Sequence, residues 1–84
     1  MISMRVFVLY FASIRERVGR DRDELELPTG ACVRDAVRAA QVLRPGLTPM
    51  DPSVRVARNL EFATYDEAVK EGDEIALIPP VSGG

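Results

Sequence analysis

Residues 31–43 read ACVRDAVRAAQVL and carry the clearest periodic pattern in the chain. Apolar side chains recur there at intervals of three and four residues, which places them along one stripe of an α-helix. Cys32 occupies the expected N-cap position, three residues before Asp35. A helix with one apolar stripe has to bury that stripe against a second layer of the fold. The residues of the stripe are Val33, Ala36, Val37, Ala40 and Leu43.

The segments on both sides of this helix predict that the second layer is a β-sheet. Residues 4–11 are strongly β-prone, and residues 22–27 alternate polar and apolar up to Pro28, which gives them a solvated charged face. The predicted strands are residues 4–11, 22–27, 54–57, 61–64 and 74–78, with an Asn59-Leu60 turn between the third and the fourth. The element order ββαβββ predicts an α+β fold in which a mixed sheet of about five strands packs on one main helix.

Two connections also carry local signals. Residues 13–16 match a capping box, in which the Ser13 hydroxyl and the Glu16 carboxylate satisfy free backbone N–H groups at a helix start. Gly19 is a suitable C-terminal stop, so a short helix or a single turn is expected between the first two strands. Residues 44–52 contain three prolines and one glycine and are predicted to form a loop.

Composition narrows the possible functions. The 84 residues include 11 basic and 13 acidic side chains, a net charge of −2, and 46% are apolar. We expect one domain, residues 1–84, that is too small to enclose a deep active site of its own. The charge balance argues against nucleic acid or an anionic membrane as the main partner, and no segment approaches the roughly 20 apolar residues of a membrane span. With no histidine and one cysteine, zinc sites and histidine-based triads within the chain are excluded, and a cytoplasmic location is expected.

The last six residues, 79–84, read PPVSGG and predict an extended tail. Two prolines stop strand pairing and favour a polyproline conformation, in which six residues at ~3.1 Å each project roughly 19 Å. Gly83 and Gly84 have no side chains, so the tip of such a tail fits a narrow passage. A terminal carboxylate becomes a good acyl donor once it is activated, for example as an acyl-adenylate. The alternative is an ordinary frayed chain end.

Two segments resemble the small subunit of molybdopterin synthase. They are residues 11–16, FASIRE, followed by Gly19, and residues 71–84, EGDEIALIPPVSGG. Together with the helix, the resemblance covers nearly the whole chain, and it implies a ubiquitin-like β-grasp fold, in agreement with the predicted element order. The chain departs from the family in its proline-rich loop and at Arg58, where the family usually has an apolar residue. These departures place the local strand pairing in question but leave the tail intact.

The resemblance also implies a function. In such proteins an adenylating, E1-like enzyme uses ATP to activate the terminal glycine, here Gly84, and a sulfur donor protein converts the acyl-adenylate to a thiocarboxylate. The large subunit of molybdopterin synthase then takes up the tail, and the sulfur passes to cyclic pyranopterin monophosphate. The carrier itself would be a non-catalytic subunit without a permanently bound cofactor or a metal. By this resemblance, the approach to the reactive carbonyl of Gly84 is formed by Pro79, Pro80, Val81, Ser82 and Gly83.

The resemblance further implies a partner-binding patch formed by Phe11, Phe62 and Ile78 on the outer face of the sheet. Side-chain alternation agrees with this, because Phe11 points away from Val6 and Val8, and Ile78 has the opposite parity to the core residues of its strand. An exposed apolar patch of this kind marks an interaction surface. The alternative is that these three residues belong to an ordinary core, since a shift of one residue in strand register reverses the faces.

Several other hypotheses remain open at this point. A sulfur carrier of the thiamine pathway or of another thiocarboxylate pathway shares the fold and the Gly-Gly end, although the PPVS segment favours the molybdopterin assignment. A β-grasp interaction module with an idle tail and a protein that tags other proteins covalently are alternatives of different classes. Weaker hypotheses are that Cys32 relays sulfur and that the acidic residues 66–67 and 71–74 form a docking rim, since a structural cysteine and a solvated surface are the simpler interpretations.

Overall fold

Five strands and two α-helices make up the part of the chain that the computed structural model describes, residues 3–80. The elements are β1 (Ser3–Tyr10), α1 (Ala12–Val18), β2 (Arg22–Pro28), α2 (Val33–Leu43), a 3₁₀ turn (Pro45–Leu47), β3 (Arg55–Arg58), β4 (Glu61–Ala63) and β5 (Glu74–Ile78). Within residues 3–80, neither helix has the length and apolar character that crossing a bilayer requires.

The strands form one mixed sheet in the order β2-β1-β5-β3-β4. β1 pairs antiparallel with β2 and parallel with β5, while β3 pairs antiparallel with both β5 and β4. The first and last strands therefore lie side by side at the centre of the sheet, which explains why β1 is apolar along almost its whole length. The topology confirms the predicted α+β fold of ubiquitin-like β-grasp type, with one main helix on one face of the sheet.

The helix α2 buries its predicted stripe against the inner face of the sheet. Four residues of the stripe are buried in the same cluster as the inward-facing residues of β1, β2 and β5. The stripe residue Leu43 is an exception, because the helix ends there and its side chain is 46% exposed. Leu47, from the 3₁₀ turn that follows, is buried in the core instead. At the other end, the Asp35 carboxylate accepts a hydrogen bond from the Cys32 N–H at 2.9 Å, which confirms the predicted cap.

The helix α1 begins earlier than the sequence predicts. The carbonyl oxygen of Phe11 accepts hydrogen bonds from the N–H groups of Ile14 and Arg15, so Phe11 is the N-cap and its side chain makes no capping bond. Ser13 consequently lies inside the helix, and the capping box predicted at residues 13–16 is wrong. The predicted stop is confirmed, since Gly19 has a φ of +85°, which glycine adopts without the steric penalty of a Cβ atom.

Smaller differences concern the second half of the chain. β3 begins at Arg55, one residue later than predicted, and β4 ends at Ala63, one residue earlier. The loop predicted over residues 44–52 contains the 3₁₀ turn. The strand pairing that Arg58 placed in question is regular, because this residue lies opposite Glu61 in β4 and opposite Ile75 in β5.

A buried carboxylate joins β2 to the end of α2. Asp23 is only 5% exposed. Its carboxylate accepts two hydrogen bonds from Arg44, from Nε at 2.9 Å and from Nη2 at 2.8 Å, and a third from the Tyr10 hydroxyl at 2.8 Å. It also forms an ion pair with Arg20, whose Nε lies 3.1 Å away. The hydrogen bond from Arg44 is the main reason that the pKa of Asp23 lies below its ordinary value, and it acts against the desolvation. Burial, followed by the hydrogen bond to Asp23, raises the pKa of Tyr10. The prediction that the charged residues of β2 are solvated is therefore wrong for Asp23.

Candidate functional site

The tail begins where the central strand β5 leaves the sheet. Pro79 is half-buried and Pro80 is exposed, and both line a cavity of about 170 Å³ together with residues of α1 and of the segment before β3. The other residues of that lining are Ser13, Ile14, Arg17, Leu47, Met50, Asp51 and Val54. The predicted tail residues Val81, Ser82, Gly83 and Gly84 lie outside the described residues. What the structure does describe is the point from which the tail starts, at the end of the strand that pairs with both β1 and β3.

An apolar groove of about 180 Å³ lies on the outer face of the sheet, the face opposite α2. Ala57 and Ala76 are opposite each other in β3 and β5 and form its base, since they are buried but lie outside the core cluster. Larger side chains rise around these alanines and are exposed to different degrees, 44% for Phe11, 92% for Leu60 and 62% for Phe62. The apolar groove is lined by Phe11, Ala57, Leu60, Phe62, Ala76 and Ile78.

The structure brings the three predicted patch residues together in this groove. Phe11, Phe62 and Ile78 all line it, and Ile78 is also the residue directly before Pro79, so the apolar groove adjoins the start of the tail. Sequence analysis missed Leu60, which it assigned only to a turn. A large apolar residue at a turn between two short strands is the signal that points to it, because such a residue is expected to face solvent. The partner-binding function of the patch remains a prediction.

The β3–β4 turn that presents Leu60 is held by its neighbour Asn59. Both residues have positive φ angles, +50° for Asn59 and +73° for Leu60, a region that asparagine tolerates but that is unfavourable for leucine. Asn59 donates its backbone N–H to the Glu74 carbonyl at 2.9 Å, and its Oδ1 accepts the Glu74 N–H at 3.0 Å. The turn is thus tied to the first residue of β5, which fixes one wall of the apolar groove relative to its base.

A second buried carboxylate, Asp73, supports the same turn. It accepts hydrogen bonds from Arg58 Nε at 2.6 Å, from Asn59 Nδ2 at 2.9 Å and from the Lys70 N–H at 2.8 Å. Burial alone would raise the pKa of Asp73, but these hydrogen bonds outweigh it and hold the pKa below its ordinary value. Arg58 also contacts Glu67 at 3.3 Å. The arginine that departs from the family pattern therefore has a structural function, and the solvated surface predicted for residues 71–74 is wrong for Asp73.

We expect the Asp73→Asn variant to loosen the turn that carries Leu60. The change removes the charge from a buried hydrogen-bonded group, so the free energy of unfolding should fall by about 2 kcal/mol. Amide hydrogen exchange at Asn59 and Glu74 should accelerate at the same time. Asp66→Asn is the matched control, because Asp66 also pairs with an arginine, Arg34 at 2.7 Å, but is exposed; such surface pairs contribute about 0–1 kcal/mol. Equal losses in the two variants would contradict the structural function assigned to Asp73.

Cys32 has a clear structural function. It is partly buried, and both its backbone and its side chain take part in the capping box at the start of α2. The hydrogen bonds from the Cys32 backbone and side chain lower the pKa of the Asp35 carboxyl. This geometry agrees with the simpler of the two interpretations of the cysteine, in which it caps a helix.

Fold and groove together define the chain as a ubiquitin-like β-grasp protein whose outer sheet face is apolar beside the start of the tail. Residues 8–84 match the ThiS family, and the chain belongs to this family. It is 39% identical over 83 residues to the molybdopterin synthase sulfur carrier subunit of Chlamydomonas reinhardtii, a match that covers 96% of this chain and 100% of that protein. The subunit of the same name from Escherichia coli (strain K12) is 39% identical over 79 residues, 92% of this chain and 96% of that one.

Among solved structures, the chain is similar to the crystal structure of SAMP1 from Haloferax volcanii. The TM-score is 0.89 at 33% sequence identity, and the superposition covers 95% of this chain and 99% of the other. The match extends over nearly the whole length of both proteins, so the two chains share the same fold from end to end of the matched region. This structure confirms the β-grasp fold, and the family match and the relatives confirm the resemblance that the sequence shows.

Proposed function

We propose that this protein is the sulfur carrier subunit of a molybdopterin synthase and acts in molybdenum cofactor biosynthesis. The names of relatives that match almost the whole chain support this assignment. The geometric observation that carries the proposal is the adjacency of the tail and the apolar groove: Ile78 lines the groove and leads directly into Pro79 and Pro80. A partner that covers the groove is thereby placed where it can take up the tail.

In this proposal the chain contributes an acyl group and no catalytic side chain. A carboxylate oxygen of Gly84 attacks the α-phosphorus of ATP in an adenylating, E1-like enzyme, and pyrophosphate leaves. Sulfide sulfur supplied by a donor protein then attacks the acyl carbon, AMP leaves, and Gly84 carries a thiocarboxylate. In the large synthase subunit the sulfur is transferred to cyclic pyranopterin monophosphate, and water restores the carboxylate. ATP is here a substrate of the activating enzyme rather than a resident cofactor of the carrier.

The mass of the intact protein tests the proposed chemistry. Incubation with ATP, the activating enzyme and sulfide should add the mass difference between sulfur and oxygen, and subsequent incubation with the large subunit and cyclic pyranopterin monophosphate should remove it. An interaction module with an idle tail would keep its mass. A carrier of the thiamine pathway would gain the mass but fail to bind the large synthase subunit, and a protein tag would form isopeptide-linked ladders. Each of these three results contradicts the proposal in a different way.

We further propose that the apolar groove is the surface that the large subunit, and in turn the activating enzyme, covers. Phe62→Asp should then weaken binding to the large subunit about tenfold or more, because truncating a central aromatic anchor of an interface typically has effects of this size. Isothermal titration calorimetry measures the change. Val42→Asp is the matched control, since Val42 is an exposed apolar residue of α2, which packs against the other face of the sheet. Equal effects of the two substitutions would rule out the groove as the docking surface.

A further inference from the structure

Arg55 lies beside the apolar groove, where it stacks on the lining residue Phe62. Its guanidinium carbon lies 3.9 Å from the centre of the Phe62 ring, the geometry of a cation–π contact. Ala57 is opposite Phe62 in the β3–β4 ladder, so Arg55 is a diagonal neighbour of Phe62 on the same face. On its other side Arg55 is opposite Ile78 in β5. The arginine thus lies between an aromatic wall of the groove and the residue that precedes the tail.

Arg55 differs from the other arginines of the strands, each of which lies near a carboxylate that balances its charge. Arg5 lies 3.4 Å from Glu24, Arg22 lies 3.6 Å from Glu74, and Arg58 pairs with Asp73 and Glu67. For Arg55, by contrast, no carboxylate of residues 3–80 is within ion-pair distance. The stacking contact uses one flat face of the guanidinium and leaves the N–H groups in its plane available as donors.

A protein that covers the groove changes the surroundings of this arginine. A partner that buries Phe62 also removes water from the Arg55 guanidinium, because the guanidinium stacks on that ring. Removing water from an unpaired charge is unfavourable. A carboxylate on the covering surface compensates for this loss, because an arginine and a carboxylate form two parallel, charge-assisted hydrogen bonds. Aromatic residues and arginines are also the residue types that contribute most to binding at interfaces. The arrangement is therefore suited to a partner with an acidic group beside an apolar one.

We infer that Arg55 determines partner specificity: the surface that covers the apolar groove presents a carboxylate to Arg55 beside the apolar side chain that enters the groove. This inference rests on the proposed function, which makes the large synthase subunit the occupant. A protein that takes up the tail has to lie over the groove edge formed by Ile78, and Arg55 is directly opposite that residue in the sheet. Complementary charge at such an edge raises the association rate and excludes wrongly charged partners.

The first experiment compares the affinity of Arg55→Met with that of Arg38→Met for the large subunit at increasing salt concentration. Arg55→Met should bind roughly tenfold more weakly than the wild type, and its affinity should depend less on salt, because a charge pair has been removed. Arg38 is an exposed arginine of α2, which packs against the other face of the sheet, so Arg38→Met should bind like the wild type. Unchanged affinity and salt dependence in Arg55→Met would overturn the inference.

The second experiment identifies the carboxylate. The only lysine of the chain is Lys70, so Arg55→Lys introduces a distinctive amine at the groove. A carbodiimide converts a carboxylate to an O-acylisourea, and an amine in contact with it attacks the acyl carbon, so that an amide forms and a urea leaves. The complex of Arg55→Lys with the large subunit should yield a cross-linked peptide between position 55 and an aspartate or glutamate of the partner. Arg38→Lys, the control, should yield no cross-linked peptide between position 38 and the large subunit.

The two experiments separate this inference from the proposed function. If the wild-type protein fails to bind the large subunit, the proposed function fails and the inference with it. If the wild type binds and Phe62→Asp weakens the complex while Arg55→Met does not, the inference alone is wrong. A cross-link from position 55 to a second copy of this chain in place of the large subunit would also overturn it, because the groove would then be a self-association surface.

Discussion

Deletion of Gly84 is expected to abolish sulfur loading and leave the fold intact. The deletion variant still ends in a glycine carboxylate, that of Gly83, but its acyl carbon is displaced by one residue, roughly 3.3 Å along an extended chain. Misplacement of a reacting atom by about 1 Å already costs on the order of a hundredfold in rate, so a shift of a whole residue should reduce loading below detection. Intact-mass measurement after incubation with ATP, activating enzyme and sulfide gives the result directly.

Two controls accompany this deletion. The thermal unfolding midpoint of the variant should equal that of the wild type, because the core that stabilises the domain is formed by elements within residues 3–80. Arg38→Met, a substitution on an exposed part of α2, should gain the mass of sulfur as the wild type does. A deletion variant that loads sulfur at the wild-type rate would refute the assignment of the reactive carbonyl to Gly84.

Much of the fold follows from local patterns of the sequence. The intervals of three and four residues in residues 31–43 give the buried face of α2, and the alternation in β1 and β5 gives the inner and outer faces of the sheet. These patterns succeed because the faces they define are buried against a continuous core, which leaves little freedom in register. The same alternation places Phe11 and Ile78 on the outer face, so part of the apolar groove was also predictable.

The features that sequence analysis missed depend on contacts between distant residues. Asp23 lies in an alternating strand whose charged side chains are expected to be solvated, but its main partner, Arg44, comes from the end of α2, 21 positions later in the chain. Arg58 and Asp73 are 15 positions apart and meet only because β3 and β5 pair. No local pattern encodes such pairs. The start of α1 was missed for a different reason, since its N-cap, Phe11, makes no side-chain capping hydrogen bond and is not one of the residue types that signal a helix start.

Asp23→Asn is expected to lower the free energy of unfolding by about 3 kcal/mol, a change of roughly a hundredfold in the folding equilibrium. The substitution places a neutral amide of the same shape at this position, and it leaves Arg44 and the Tyr10 hydroxyl without the buried carboxylate that now accepts their hydrogen bonds. Urea denaturation monitored by circular dichroism measures the loss. Asp21→Asn is the matched control, because Asp21 is exposed two positions away, and its variant should stay within about 0.5 kcal/mol of the wild type.

The pH dependence of this stability difference shows whether the carboxylate charge is its source. The pKa of Asp23 is lower in the folded protein than in the unfolded chain, where an aspartate has a pKa of about 3.9. Its contribution is therefore complete above about pH 4 and is lost as the pH falls through the folded-state pKa. The stability difference between the wild type and Asp23→Asn should be constant near neutral pH and shrink in acid. Asp73 titrates in both proteins, so its contribution cancels from this difference. A difference that persists unchanged in acid would mean that the charge of the Asp23 carboxylate is not the source of the lost stability.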